Sequence, residues 1–522
     1  MSSCGNPNVE ADALMDRKPK FDRSKVCVKC KTNPGHIVIR HAVYCRDCFF
    51  PLVTSKFRKV LTPVINENAA PGLRIRSLRA AGNLTVGFSG GSASTVLLDL
   101  VAQNYLQLDS EASTKGGKDH PRKYEVIWPE ANLCYVEISN AFQGMRDRTE
   151  EIRQVVNKYD AFKFVPLRIE DAFDPDWWSK FGYRPLASEL ELGLSCDTTT
   201  DDIFVSHSQS SSNSTPVSRL RAFLSSLPTQ TAILSSVQAI VRVLLLSMAR
   251  ATGSSHLVLG TTLSSLSISL ISGIAQGGGF TVREEVQEEW SPAAVEGDQS
   301  GVRKGSVRVV RPLRDIGIKE CAAWAWWAKL KVVGREKIPH ANQGIGALTK
   351  DFIVGLERDY PSTVSTIART CGKLAPKDTS RLRCVLCQRP AQPGVQEWKS
   401  RISLRSFTET ADHIQLLADA ESKPARLALA PALCYACHTT LTSRSSRGVA
   451  ANQRNDASLN QTSVPLPVWI APFLKDFTRH DHVDGSSSDV VSSGEEVFRS
   501  RKLTTDDMRK EIGEFLIEEQ AM

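Results

Sequence analysis

From residue 84 to residue 329 short apolar runs alternate with amphipathic stretches, a pattern that predicts strands followed by helices and hence a parallel sheet in an α/β fold. The run 84–88 is a first strand, the small residues Ser89-Gly90-Gly91 are a turn, and 96–101 opens a helix. Further strands are expected at 133–138, 162–167, 256–260 and 307–310, and helices at 145–159, 217–227, 230–252, 263–274 and 318–329. The stretch 230–252 is nearly apolar around Val241, so this helix is expected to be buried. Upstream, 37–39 reads as a short strand and 49–61 as a basic amphipathic helix. Polar stretches at 110–123, 195–217 (with a serine tract) and 281–304 break the pattern and are expected to be insertions.

The same pattern divides the chain. Residues 1–24 read as disordered, 25–62 as a cysteine-rich module, 75–375 as the α/β domain and 380–480 as a second cysteine-rich module with a flexible loop. Residues 481–503 read as disordered, and 504–522 as a closing helix with Met508, Ile512, Phe515 and Leu516 on one face. A chain of 522 residues suits two or three packed units at about 150 residues each. No apolar run is expected to reach the roughly 20 residues of a membrane span, and no hydrophobic signal core opens the sequence; a cytosolic (cytoplasmic) or nuclear location is expected.

Charge adds a direction. Between Arg17 and Arg79 there are 15 Lys and Arg against three acidic residues, an excess of twelve positive charges in a chain whose net charge is +8, so the remainder sums to −4. A basic N-terminal part on a near-neutral body suits a polyanion-facing surface, and equally a merely solvated one. Arg40, Lys56, Arg58, Lys59, Arg74, Arg76 and Arg79 are its candidate RNA contacts, joined by Arg311 and Arg314 further on.

Eight of the 13 cysteines fall in four Cys-x-x-Cys pairs. Cys27/Cys30 and Cys45/Cys48 are separated by 14 residues, the spacing of a zinc ribbon or finger with one tetrahedral thiolate site. Cys384/Cys387 and Cys434/Cys437 are separated by 46; one shared metal site with a long loop is favoured over independent roles. The aromatic cluster Trp324, Trp326 and Trp327 is expected to pack rather than to stack on bases.

The turn at Ser89 places backbone N–H groups and a helix N-terminus where a phosphate can sit, although pattern alone fits an ordinary strand–turn–helix corner equally well. It is not a Walker loop, since no Gly-Lys-Ser/Thr follows. It resembles the Ser-Gly-Gly-x-Asp-Ser loop of the N-type (PP-loop) ATP pyrophosphatases, with Ser89, Gly90, Gly91 and Ser94 as its remnant. The position at which that family carries a magnesium-holding Asp is Ala93, whose methyl cannot coordinate a hard cation.

Several segments line up in order: the first cysteine pairs, Ser89-Gly90-Gly91, Leu227-Pro228, Leu259-Gly260-Thr261, Arg311-Pro312-Leu313-Arg314, the later cysteine pairs and the closing stretch from Met508. Together they resemble the cytoplasmic tRNA 2-thiolation protein 2 family over nearly the whole chain. The resemblance implies a PP-loop ATP pyrophosphatase-like domain (adenine nucleotide alpha hydrolase-like) flanked by zinc-binding modules. It implies a subunit of the cytosolic complex that thiolates the wobble uridine, U34, of the tRNAs for Lys, Gln and Glu. The chain would bind tRNA and a catalytic sister subunit in a heterodimer, with sulfur coming from a ubiquitin-related modifier thiocarboxylate.

Departures from the active pattern bear on mechanism. Adenylation needs a metal on the leaving pyrophosphate, yet Ala93 and the Thr261-Thr262 segment offer no carboxylate. Cys134, Cys196 and Cys321 lie within the nucleotide domain outside any Cys-x-x-Cys pair, and Cys134 and Cys321 read as core thiols. A non-catalytic subunit with ATP and magnesium weak or absent is therefore expected. The alternative is an active ATP-dependent thiouridylase that recruits magnesium through another group such as Asp99. A third reading, an RNA-binding zinc protein outside thiolation, leaves the Ser-Gly-Gly and Arg-Pro-Leu segments unexplained. Some related thiolation enzymes carry iron–sulfur clusters, so both metals stay open, with structural zinc favoured by the terminal placement of the pairs.

Overall fold

The computed structural model describes residues 26–66, 78–106, 126–181, 189–194, 203–208, 214–286, 307–334, 338–339, 344–374, 382–392, 394–395, 427–442 and 464–471. The expected disordered ends, the closing helix at 504–522, Arg74, Arg76, Cys196 and the insertion 110–123 lie outside them.

Strands β1 (Ile37–Ile39) and β2 (Ala42–Tyr44) pair antiparallel and lead into helix α1 (Arg46–Ile65), which buries Phe49, Val53, Phe57, Val60, Leu61 and Val64 along one side. That spacing of three and four residues is the apolar stripe of an amphipathic helix. Then β3 (Asn83–Phe88), α2 (Ser92–Val101), β4 (Ala131–Glu137), α3 (Thr149–Val156) and β5 (Lys163–Arg168) follow as alternating units. After α4 (Pro175–Ser179), β6 (Glu189–Leu194) and β7 (Ile203–Ser208) form a hairpin. Next come α5 (Pro216–Ser226), α6 (Gln230–Ala251), β8 (Ser254–Leu259), α7 (Leu263–Ala275), α8 (Val282–Val286), β9 (Arg308–Val310) and α9 (Ile318–Trp327). Helices α10 (Ile345–Asp359) and α11 (Pro361–Leu374) pack on α7. The described chain ends with β10 (Leu427–Ala428), α12 (Tyr435–Thr442) and β11 (Val464–Pro465).

The central sheet has the order β5-β4-β3-β8-β9, and every pair in it is parallel. The expected α/β architecture is therefore present. Because β3 lies in the middle and the chain steps outward first on one side and then on the other, the order reverses between β3 and β8. In such sheets ligands bind at that switch point, beyond the carboxyl ends of the strands. One face of the sheet is covered by α1, α2 and α9, with Leu84, Val86, Leu97, Val101 and Trp324 in a common core. The other face is covered by α6, where Leu245, Leu246 and Ala249 meet Cys134, Leu257 and Val309.

Several expectations change. Helix α6 does reach the length and apolarity of a membrane span, contrary to expectation, but it is a core helix mostly buried within the fold. Helix α3 is shorter than 145–159, because Gly144 turns at φ +82° and Arg148 N–H donates to the Glu137 carboxylate (2.8 Å) before the helix starts. Within the expected insertion 195–217 lies strand β7, and within 281–304 lies α8. The antiparallel sheet β10-β7-β6-β11 joins that insertion to the C-terminal region. Cys384, Cys387, Cys434 and Cys437 share one core with Phe173, Leu220, Phe223 and Trp469, so the second cysteine region is packed into the α/β domain's flank.

Candidate nucleotide loop and metal centres

The Ser89–Gly91 turn lies at the switch point, and the segment ending at Gly334 packs against it. Gly90 has φ +75°, a left-handed conformation that favours glycine, and a Cβ there would come 2.6 Å from Ile152 Cδ1. Its carbonyl accepts from Gly334 N–H (2.9 Å), while Arg148 Nη1 donates to the Gly334 carbonyl (2.7 Å). The chain after α9 is thereby laid across the turn. Gly91 is the N-cap of α2 without a side-chain cap, and its carbonyl accepts from Ser94 Oγ (2.9 Å) and Thr95 Oγ1 (3.0 Å). From the β8 side, Gly260 fits so closely that a Cβ would lie 3.0 Å from Ser94 Cα. Ala93, partly buried in the first turn of α2, packs against the α1–α2–α9 core.

Carboxylates around the turn are committed elsewhere. Asp99, the alternative magnesium ligand, is buried and accepts from Trp324 Nε1 (2.8 Å), Gln103 Nε2 (3.0 Å) and Tyr159 Oη (3.5 Å); burial raises its pKa. Glu137 at the end of β4 accepts from Tyr135 Oη and from the N–H groups of Ile138, Ser139 and Arg148, each at 2.8 Å. After β8, Thr262 caps α7 by accepting from Ser265 N–H (3.2 Å). Ser264 Oγ donates to Glu357 Oε2 (2.7 Å) on α10, a carboxylate that sequence reasoning missed because no helix was expected there. Cys134 and Cys321 are core thiols whose pKa values burial raises, that of Cys134 to about 12; neither is poised as a thiolate nucleophile.

Both cysteine sets converge. The sulfurs of Cys27, Cys30, Cys45 and Cys48 lie within 4.8 Å of one another, and so do those of Cys384, Cys387, Cys434 and Cys437. The two centres are built alike. In each, the residue after the first pair turns at positive φ (Lys31 at 57°, Gln388 at 56°) and its N–H donates to the carbonyl of the first cysteine (2.9 and 2.8 Å). In each, the second pair sits at a helix start, Cys45 as N-cap of α1 and Cys434 just before α12. Cys30 Sγ to Cys45 Sγ and Cys387 Sγ to Cys434 Sγ are both 3.8 Å. Sulfurs at tetrahedral corners about 2.3 Å from one ion are about 3.8 Å apart, so the geometry fits a single ion. Thiolates on the separate irons of a four-iron cube are spread more widely.

The C-terminal centre rests on a buried ionic hub. Arg383 Nη1 meets Glu284 Oε1 (3.1 Å), Arg389 Nη1 meets Glu285 Oε1, and Arg242 Nη2 lies 3.5 Å from Glu284 Oε2. Arg242 Nη1 also donates to the Cys387 carbonyl (3.1 Å), and Arg311 Nη1 to the Glu284 carbonyl (3.1 Å). Four guanidinium groups against two carboxylates leave two positive charges. A divalent ion with four thiolates carries two negative ones, so the loaded centre closes the balance.

This hub corrects one candidate. Arg311 is 7% exposed and tied to α8, so it is a core residue and not an RNA contact. Arg314 is half-buried and donates to the Val286 carbonyl (3.3 Å). Lys56 is half-buried and paired with Glu320 (2.9 Å). Arg40, Arg58, Lys59 and Arg79 are exposed. Of the tryptophans, Trp324 and Trp327 pack with Phe49 and Phe50, while Trp326 is 80% exposed.

The comparisons with known proteins agree with the resemblance drawn from the sequence. The family model described as cytoplasmic tRNA 2-thiolation protein 2 matches residues 344–439. Proteins of that name are similar to the chain: one from Danio rerio at 25% identity, covering 69% of each chain, and one from Homo sapiens at 26%, covering 71% of this chain and 72% of the relative. Among solved structures, the U34-tRNA thiolase NcsA from Methanococcus maripaludis, with its [4Fe-4S] cluster, is similar at 15% identity and TM-score 0.43. The alignment covers 74% of this chain and 99% of that one.

Proposed function

We propose that this chain, as a relative of the cytoplasmic tRNA 2-thiolation protein 2 family, takes part in tRNA 2-thiolation in the cytoplasm as a non-catalytic subunit. It binds tRNA and a catalytic sister subunit, which adenylates the wobble uridine U34 of the tRNAs for Lys, Gln and Glu and receives sulfur from a ubiquitin-related modifier thiocarboxylate. One observation carries the division of labour: the turn at the switch point has Ala93 in place of the metal-holding carboxylate, and Gly334 is bonded across Gly90. In-line attack on an α-phosphate needs a cation on the leaving pyrophosphate. Asp99, Glu137 and Glu357 already have their donors.

Each cysteine set fits one zinc ion, which would supply a rigid cross-link and no chemistry on substrate. Cys27, Cys30, Cys45 and Cys48 fix the start of α1, and with it Arg58 and Lys59 on the polyanion-facing side. Cys384, Cys387, Cys434 and Cys437 neutralise the arginine hub.

The test is pyrophosphate release with ATP, magnesium and tRNA, measured on the purified chain, on the sister alone and on the two together, alongside tRNA binding by anisotropy. The expected result is tRNA binding with no turnover by this chain alone and turnover in the pair. Turnover by this chain alone would instead establish an active thiouridylase.

A further inference from the structure

Beside α1 lies an open groove of about 570 Å³, within the size range of small-ligand sites and distinct from the switch-point turn. One wall is α1, which presents Phe50, Thr54, Ser55 and Arg58 at helical spacing; Gln103 and Trp324 complete it from α2's end and from α9. The aromatic part is rigid: Phe50 and Trp324 meet edge to face with ring centroids 4.7 Å apart, and Trp324 Nε1 is fixed on Asp99. Gln103 is held by its bond to the same carboxylate. Arg58 is the lining's cation and is itself oriented by its Nε bond to Asn104 Oδ1 (2.8 Å). None of the lining residues is acidic. Asp99 is bonded by Trp324 and Gln103, and Glu320 on α9 by Lys56. Lys59, the next residue on α1, is also exposed.

We propose that this groove takes one unpaired nucleotide of an RNA strand, with the base against Phe50 and its phosphate on Arg58. An aromatic wall, hydrogen-bonding hydroxyl and amide groups, and a guanidinium at the rim are the parts that single-stranded RNA sites use. A base inside a duplex cannot enter, because its faces are already stacked and its phosphates are held at the helix surface. The groove therefore reads loops and ends, not stems. This inference rests on the tRNA-binding reading above.

The experiment is fluorescence anisotropy of the full-length, metal-loaded protein with an unpaired RNA octamer, with a blunt RNA duplex and with tRNA. It compares wild type, Thr54→Leu/Ser55→Leu, which fills the groove without adding an aromatic, and Arg58→Gln. Metal content and circular dichroism establish that each variant is folded. The filled variant is expected to bind the octamer about tenfold more weakly and the duplex unchanged, given the usual contribution of one stacked base. Arg58→Gln is expected to lower the salt dependence of octamer binding by about one phosphate contact. Unchanged octamer binding by the filled variant, or equal weakening of octamer and duplex, overturns the groove assignment while leaving tRNA binding intact. Failure of the wild-type protein to bind tRNA at all refutes the underlying reading instead.

Discussion

Replacing Arg311 with Met separates a structural arginine from an RNA-contacting one. The side chain is 7% exposed, and burial pushes its pKa down to about 10, with Glu285 and Glu284 as the charges that hold it in place. Its Nη1 is also a donor to the Glu284 carbonyl at 3.1 Å. Methionine keeps much of the volume but removes the donor and one of the hub's cations. Leaving a buried carbonyl without its donor costs about 1–3 kcal/mol. Arg242, Arg383 and Arg389 still pair with the two carboxylates, so the lost donor sets the expected loss, about 1–3 kcal/mol. At about 2–4 °C per kcal/mol for a unit of 150–250 residues, melting falls by about 2–12 °C. Thermal unfolding by circular dichroism measures this, and anisotropy well below the transition measures tRNA affinity, expected to stay within about twofold. Unchanged melting together with several-fold weaker tRNA binding would refute the burial argument and return Arg311 to the RNA surface.

Three further outcomes follow from the same geometry. Metal analysis is expected to give about two zinc ions per chain and no visible absorption band; Cys434→Ser should lower melting more than Cys48→Ser, because all four C-terminal thiols are buried whereas Cys30 and Cys48 are only half-buried. An iron-dependent visible band, or no bound metal, contradicts it. Ala93→Asp is expected to give no pyrophosphate release by the chain alone, since the Gly334 contact remains and no carboxylate is added after β8; turnover would show that one missing group was the whole defect. Burial raises Asp171 to about 6 from its ordinary 3.8, so its ionisation opposes folding: this group's stabilising contribution is complete below about pH 4 and lost as pH rises through about 6. Asp171→Asn should flatten that part of the stability–pH curve, and an unchanged slope would count against the assignment.

What could be read from sequence is what nearby residues determine. The cysteine centres are set by pairs at fixed spacing followed by a helix start, and the β3–turn–α2 corner by an apolar run meeting two glycines. What could not be read depends on partners far along the chain. The bond between Asp99 and Trp324 joins residues 225 apart, and nothing local to Asp99 announces it. Arg311 looks like a surface cation in an Arg-Pro-Leu-Arg segment because the acidic pair that buries it, Glu284 and Glu285, sits in a polar stretch that reads as an insertion. The sheet β10-β7-β6-β11 escaped for a related reason. Its end strands have two residues each, too short to show any period, and they pair with a hairpin more than 200 positions away.

That distinction bears on why a turn without its carboxylate keeps its glycines. A phosphate cradle and a packed corner both require small residues at Gly90 and Gly260, so their presence alone does not separate binding from architecture. In this chain the packing demand is explicit: Gly90 bears on Ile152 and accepts from Gly334, and Gly260 lies against Ser94. At Gly90 the left-handed φ of +75° strains any other residue, and at Gly260 a methyl would press on the Ser94 backbone. The residue at 93 is under no such demand. Ala93 meets the apolar core and bonds to nothing through its side chain, so only metal chemistry would require an acid there. On the proposed division of labour the two kinds of residue therefore part company. The glycines are required because the sheet's switch point is closed through them, whereas nothing in the described fold requires a carboxylate at 93.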